Sequence, residues 1–159
     1  MYARDHAVIA TPVGSILIEG GQDVVTAIRI LTEPQPARQP DSPAVLAAAE
    51  QLERWFDGAL TAFDLALAQP TTPRGQALRT GLINVGYGTT TTYGALATSL
   101  GSSSRAIGQL CARNPFPIVV PCHRVLASGA GADRYSAGAG SVTKQWLIAF
   151  ERSRAGVKA

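Results

Sequence analysis

Apolar positions in the first thirty residues cluster in short runs rich in Ile and Val: Ala7–Ala10, Ser15–Glu19 and Val24–Ile30. Pro12-Val13-Gly14 and Gly20-Gly21 punctuate them. Short runs of this kind between turn residues predict strands, and their close succession predicts a three-stranded meander. Pro34, Pro36, Pro40 and Pro43 then mark a loop. It ends at a helix start, with Asp41 or Ser42 as cap and Pro43 in the first turn. Val45, Ala49, Leu52 and Phe56 share one helical face, and Gly58 is a stop signal. Leu60 to Pro70 reads as a short strand and a linker, with a boundary near Gln69–Thr72. The expected organisation is a sheet-and-helix domain over residues 1–70 and a second domain over 71–159.

The second half changes to helical periodicity. Thr72-Pro73 opens a helix with Leu78, Leu82 and Val85 as its stripe, broken at Tyr87-Gly88. Thr92 caps a short helix through Leu100, Gly101 turns the chain, and Ser102 or Ser103 caps another through about Arg113. Asn114-Pro-Phe-Pro117 ends it, and the apolar run Ile118–Val120 leads into Pro121-Cys122-His123-Arg124-Val125. A glycine-rich loop over Ser128–Ser141 precedes a last helix with Val142, Trp146, Ala149 and Phe150 on one side.

Composition narrows the classes. Of 159 residues 46% are hydrophobic and 16% charged, enough apolar material to bury a core. A formal net charge of +3 permits a nucleic-acid partner without arguing for one. No long apolar run follows Met1, so neither a signal peptide nor a membrane span is expected, and a cytoplasmic protein with reduced thiols is the default. With only Cys111, Cys122, His6 and His123 available, neither a disulfide framework nor a metal site is expected.

Two features carry chemistry. The helices either side of Gly101 have the lengths of a helix-turn-helix. The second would present Ser102, Ser103, Ser104 and Arg105 at its N-terminus, where hydroxyls and free N–H groups bind phosphate. The other is Cys122, at the end of an apolar run. A free Cys is commonly a buried structural thiol. Pro121 ends regular pairing, however, and His123 or Arg124 could lower the thiol pKa and so favour the nucleophilic thiolate. Neighbours on a strand point to opposite faces, so His123 should act on Cys122 through a relay, with a carboxylate such as Glu151 orienting the imidazole. Cys111 reads as a small buried filler.

Ser104-Arg105-Ala-Ile-Gly108, Arg113-Asn-Pro-Phe-Pro-Ile-Val-Val-Pro-Cys-His-Arg-Val125 and Lys144-Gln-Trp-Leu-Ile-Ala-Phe-Glu151 together resemble the O6-alkylguanine-DNA alkyltransferases. The match runs from about Tyr87 to Glu151; the first seventy residues match loosely, through Thr11–Leu17 and the order of elements. The resemblance implies an α+β fold: a ribonuclease H-like N-terminal sheet with a helix, then a mostly helical domain that binds DNA and accepts the alkyl group. It also implies a single-turnover methyltransferase that repairs O6-alkylguanine in double-stranded DNA from the minor groove. Such a protein needs no cofactor and acts as a monomer, cytoplasmic and nucleoid-associated.

The implied roles fall residue by residue. Cys122 is the acceptor, His123 its base through a water, Glu151 the group that orients His123, and Asn114 part of the relay. Tyr93 aids flipping and donates a proton to the base, and Arg105 fills the gap the base leaves. Ser102, Ser103, Ser104, Arg113 and Arg124 face DNA. Val125 offers its carbonyl to the guanine, and Tyr135 and Ser136 close over it.

The chain departs from the family pattern after Tyr135, where Ser136-Ala-Gly-Ala-Gly140 replaces a Gly-Gly step, and between Arg74 and Thr80, which lacks the usual aromatic and Trp. Altered closure of the loop and altered core packing are expected there. Two other functions remain open at this point: a non-catalytic lesion-marking or helix-turn-helix DNA-binding protein, and a Cys-dependent hydrolase.

Overall fold

The computed structural model describes residues 4–128 and 134–155. The chain divides into two compact units, Met1–Gln69 and Pro70–Ala159.

In the first unit β1 (Asp5–Thr11), β2 (Gly14–Gly20) and β3 (Val25–Ile30) form an antiparallel meander in the order β1-β2-β3. Alternation along the strands sends Ala7, Ile9, Ile16, Ile18, Val25, Ile28 and Ile30 into the core. Helix α1 (Pro43–Phe56) covers them with Val45, Ala48, Ala49, Leu52 and Trp55. The expected face is shifted at its end: Trp55, not Phe56, is the fully buried aromatic. The start of α1 also differs from expectation. Ser42 is the N-cap, but its side chain makes no capping bond. Instead the Asp5 carboxylate, one strand away in space, accepts from the backbone N–H groups of Asp41 and Ser42 at 2.7 Å each. These bonds, with that from Arg38, hold Asp5 well below the usual carboxylate range. The strand expected within Leu60–Pro70 reduces to a single bridge from Leu67 to Val25.

The second unit holds α2 (Pro73–Ile83), α3 (Tyr93–Ser99), α4 (Ser104–Ala112) and α5 (Ser141–Arg154), with a two-residue parallel pairing of β4 (Thr91–Thr92) on β5 (Val125–Leu126). The caps are the residues expected: the hydroxyls of Thr72, Thr92 and Ser103 accept from Gly75, Ala95 and Ala106. Between α3 and α4, Gly101 adopts φ +63°, and Ser102 N–H returns to Ala97 O at 2.8 Å. A left-handed residue is what this helix ending requires, and glycine meets no steric penalty there.

Two elements correct the sequence-based pattern. Ile118–Val120 is not a strand but a series of turns, in which Ile118 holds φ +74° while 1% exposed. A β-branched residue in that region is strained by about 1–3 kcal/mol, and burial of its side chain holds it in place. On α5 the apolar stripe expected from Val142 is not the buried face. Val142 is 70% exposed, and the helix instead buries Thr143, Lys144, Leu147 and Glu151. Trp146 and Phe150, one turn apart, stack on each other with centroids 5.0 Å apart. The helix thus turns two charged side chains inward, and these organise the site.

Candidate active site

The segment from Asn114 to Val125 is built from side-chain-locked turns. Asn114 Oδ1 accepts from Phe116 N–H at 2.9 Å, and its amide donates to Val120 O at 2.8 Å and to Cys122 Sγ at 3.3 Å. Cys122 N–H donates to Val120 O at 2.8 Å, and Arg124 N–H to Pro121 O at 3.0 Å. One asparagine therefore clamps both the loop and the sulfur. Cys122–Arg124 forms a single 3-10 turn, not the end of a strand. With about three residues per turn, three consecutive side chains leave in three directions. The geometric difficulty posed by strand neighbours is thus removed.

Those directions divide the work. His123 is fully buried, and its Nε2 lies 2.6 Å from Glu151 Oε2. Arg124 reaches the same carboxylate, Nε donating to Oε1 at 2.9 Å and Nη2 to Oε2 at 2.9 Å, while Nη1 donates to Val85 O at 2.6 Å. Gly88 N–H completes the shell on Oε1 at 3.1 Å. Gly88 lies at φ +77°, and a Cβ there would stand 2.6 Å from Ala155 Cβ, so only glycine can bring its N–H so close to α5. Burial by itself would raise the Glu151 pKa. The bonds from His123 and Arg124 outweigh it and bring the carboxyl down to about 2. Burial lowers the His123 pKa against the pull of Glu151, so the imidazole rests neutral.

Arg124 was expected to face DNA, and this is corrected: it is 6% exposed and its guanidinium is committed to Glu151. An unpaired buried carboxylate is costly, and the sequence neighbour of His123 supplies the countercharge.

Cys122 is 3% exposed and lies in the wall of a cavity of about 1060 Å³. Tyr93, Ser104, Arg105, Gly108, Cys111, Tyr135 and Ser136 share that lining. The cavity therefore brings together Cys122, Tyr93, Arg105, Ser104, Tyr135 and Ser136 from the residues anticipated. Ser102, Ser103 and Arg113 stand outside its lining. Ser103 is spent as the cap of α4, and Arg113 is exposed at that helix's end. The Val125 carbonyl accepts from Lys144 Nζ at 2.5 Å. Residues 129–133 of the glycine-rich loop lie outside the described residues. After them, Gly138 and Gly140 take φ +55° and +65°, a backbone that the substituted glycine step still supplies.

Three residues at or near the site, one of them the Cys111 read above as a filler, make contacts that the sequence pattern did not assign. Lys144 is fully buried, donates to the carbonyls of Val125 and Arg134, and sits 5.8 Å from the Tyr93 ring centroid. Its spacing to Leu147 and Glu151 is helical, a signal masked by the apolar residues on the other face. Cys111, on the last turn of α4, lines the same cavity wall as Cys122. Cys111 and burial hold the Cys122 thiol well above its usual range against the opposing effects of Asn114 and Lys144. Arg79 lies within the stretch lacking the usual aromatics; it is 9% exposed, with its guanidinium 5.2 Å over the Phe116 ring. A cation stacked on an aromatic face packs this part of the core.

Comparisons with known proteins agree with this geometry. Residues 75–153 match the model of the 6-O-methylguanine DNA methyltransferase DNA-binding domain. The methylated-DNA–protein-cysteine methyltransferase of Mycobacterium bovis is 35% identical over 94% of this chain and 93% of its own. The constitutive enzyme of that name from Bacillus subtilis is 32% identical over 89% and 92%. The crystal structure of Mycobacterium tuberculosis OGT in complex with DNA superposes with a TM-score of 0.78 at 34% identity, covering 94% of this chain and 93% of that one. At that identity and coverage, the chain belongs to the methylated-DNA–protein-cysteine methyltransferase family.

Proposed function

We propose that the protein repairs O6-alkylguanine in double-stranded DNA by moving the alkyl group onto Cys122, once and irreversibly. The observation that carries this is the placement of Cys122: its sulfur is clamped by Asn114 in a cavity wall, with the His123–Glu151 pair behind it. The first unit is read as ribonuclease H-like and α3–Gly101–α4 as a helix-turn-helix that lies in the minor groove. Ser102, Ser103 and Ser104 meet phosphate, with Arg113 as a further cation. The target atom is inaccessible within a stacked duplex, so the base is flipped into the cavity at a cost of a few kcal/mol. Arg105, exposed on the first turn of α4, fills the gap and offsets part of that cost.

The chemistry follows from the resting states. Cys122 rests as a thiol and His123 as a neutral base. Nε2 is committed to Glu151, so the thiol proton passes to Nδ1, through a water as the relay. Glu151 stabilises the imidazolium that forms. The sulfur attacks the alkyl carbon in line, the S–C bond forms as the C–O6 bond breaks, and Tyr93 donates a proton to the departing guanine. The Val125 carbonyl and Ser136 fix the base, and Tyr135 helps close the cavity. The product is a thioether, so the protein acts as a monomeric reagent without a cofactor.

The test is label stoichiometry. Incubation with DNA carrying labelled methylguanine should transfer one label per protein, abolished in Cys122→Ala and Cys122→Ser while both retain DNA binding. Binding without transfer by the unaltered protein would favour a lesion marker, many products per protein a hydrolase. Undiminished transfer by Cys122→Ser would overturn the acceptor assignment.

A further inference from the structure

Residues 113–121, which lead into Cys122, lie outside every helix and strand, so side-chain anchors fix their shape. Asn114 supplies one anchor: it accepts from Phe116 N–H at 2.9 Å and donates to Cys122 Sγ at 3.3 Å. Phe116, at the other end of the first bond, is fully buried, and its carbonyl accepts from Val120 N–H at 2.8 Å. The Phe116 ring is covered in turn by Arg79 from α2, whose guanidinium carbon stands 5.2 Å from the ring centroid. Arg79 is 9% exposed, and burial works against its charge. An apolar side chain would fill that space without the desolvation cost. The stacked cation adds what such a side chain lacks, a directional attraction to one ring face.

We propose that Arg79 is a positioning residue for Cys122: its stack on Phe116 holds that residue where its N–H meets Asn114, and so keeps the Asn114 amide on the sulfur. The contacts form one continuous path, from guanidinium to ring, from Phe116 N–H to Asn114 Oδ1, and from the same amide to Sγ. An N–H donor stabilises a thiolate more than a thiol. Loosening Phe116 frees the Asn114 side chain to turn away, and the thiolate loses that support. The inference rests on the reading of Cys122 as the nucleophile and extends its support to a different helix. Arg79 stands outside the cavity lining, so it acts on the reactivity of Cys122 and not on the affinity for DNA.

The experiment follows alkylation of the full chain by iodoacetamide across pH, without DNA, with peptide mass spectrometry separating label on Cys122 from label on Cys111. Arg79→Met, which fills the space without charge, should slow labelling of Cys122 at pH 7 by about 10-fold and move its profile to higher pH. Arg79→Lys keeps a cation over the ring and should stay within about threefold of the unaltered protein. In an Asn114→Ala background, Arg79→Met should add less than about twofold, since the path is already cut. Tyr93, Arg105, Cys111, Arg134 and Tyr135 line the cavity with Cys122, and Lys144 from α5 bears on its charge; these and His123 are the same in every variant. Circular dichroism checks folding, and Arg79→Gln takes the place of Arg79→Met if the latter does not fold. An unchanged Cys122 profile in a folded uncharged variant, a Lys variant as slow as the Met one, or a full further loss in the Asn114→Ala background would overturn the proposal. A further arm rests on the repair reading: methyl transfer at saturating DNA should slow by the same factor with DNA affinity unchanged. Absence of transfer by the unaltered protein would overturn that reading and leave the labelling result standing.

Discussion

Replacement of Glu151 by Gln tests the buried network most directly. Glu151 is 1% exposed and takes bonds from His123, Arg124 and Gly88. Glutamine keeps the volume but removes the charge, and turns an amide N–H₂ toward groups that are themselves donors. Arg124, 6% exposed, is left without its countercharge, a situation that costs about 3–5 kcal/mol. Proton linkage gives a similar figure. A carboxyl held at about 2 instead of the ordinary 4.5 contributes about 3 kcal/mol at neutral pH. Because the folded pKa is depressed, that contribution is fully present above 4.5 and is lost as pH falls toward 2. Urea unfolding followed by circular dichroism should show Glu151→Gln destabilised by about 3 kcal/mol at pH 7, the gap narrowing by about 1 kcal/mol at pH 4. Transfer should slow at every pH, since the imidazolium loses its stabilising anion. A loss below about 1 kcal/mol at pH 7, or a gap that does not narrow at pH 4, would refute the ionised, charge-paired Glu151.

Other consequences follow from single contacts. Arg105→Ala should slow repair of duplex DNA much more than reaction with free O6-benzylguanine, because only the duplex has a gap to fill; equal losses on both would refute that role. Asn114→Ala removes the bond to Cys122 and leaves the bonds of Phe116 N–H and Val120 O unmade. It should cost about 1–3 kcal/mol in urea unfolding and move the transfer rate profile to higher pH. Asp5→Ala strips the cap from α1 and should destabilise the first unit by about 1 kcal/mol, read by hydrogen exchange of that helix, with transfer unchanged. The transfer rate should hold as pH falls through 6.5 and drop only below the usual histidine range, since His123 stays neutral until then.

Much of the fold was legible because its punctuation is local. Thr72, Thr92 and Ser103 bond backbone groups three residues away, and Gly101 turns the chain by its own conformation. The candidate site was likewise legible from Asn114 to Val125, because one short segment holds the asparagine that clamps the sulfur, the thiol and the imidazole that follows it. Tertiary structure decided what depends on distant partners. Asp5 caps a helix from another element, and the burial that holds Ile118 in left-handed backbone comes from its surroundings, so an apparent strand became a turn. The inward face of α5 was set by charge pairing, with Glu151 satisfied by His123, Arg124 and Gly88 and Lys144 by two carbonyls. A hydrophobic pattern does not register such compensation, and so it selected the opposite face. The sequence by itself singled out Cys122 as the candidate nucleophile and marked the elements around it. Only the packing of α4 and α5 around one 3-10 turn decided which ions are buried there and that a second thiol lines the same cavity, because those contacts join residues far apart in the chain.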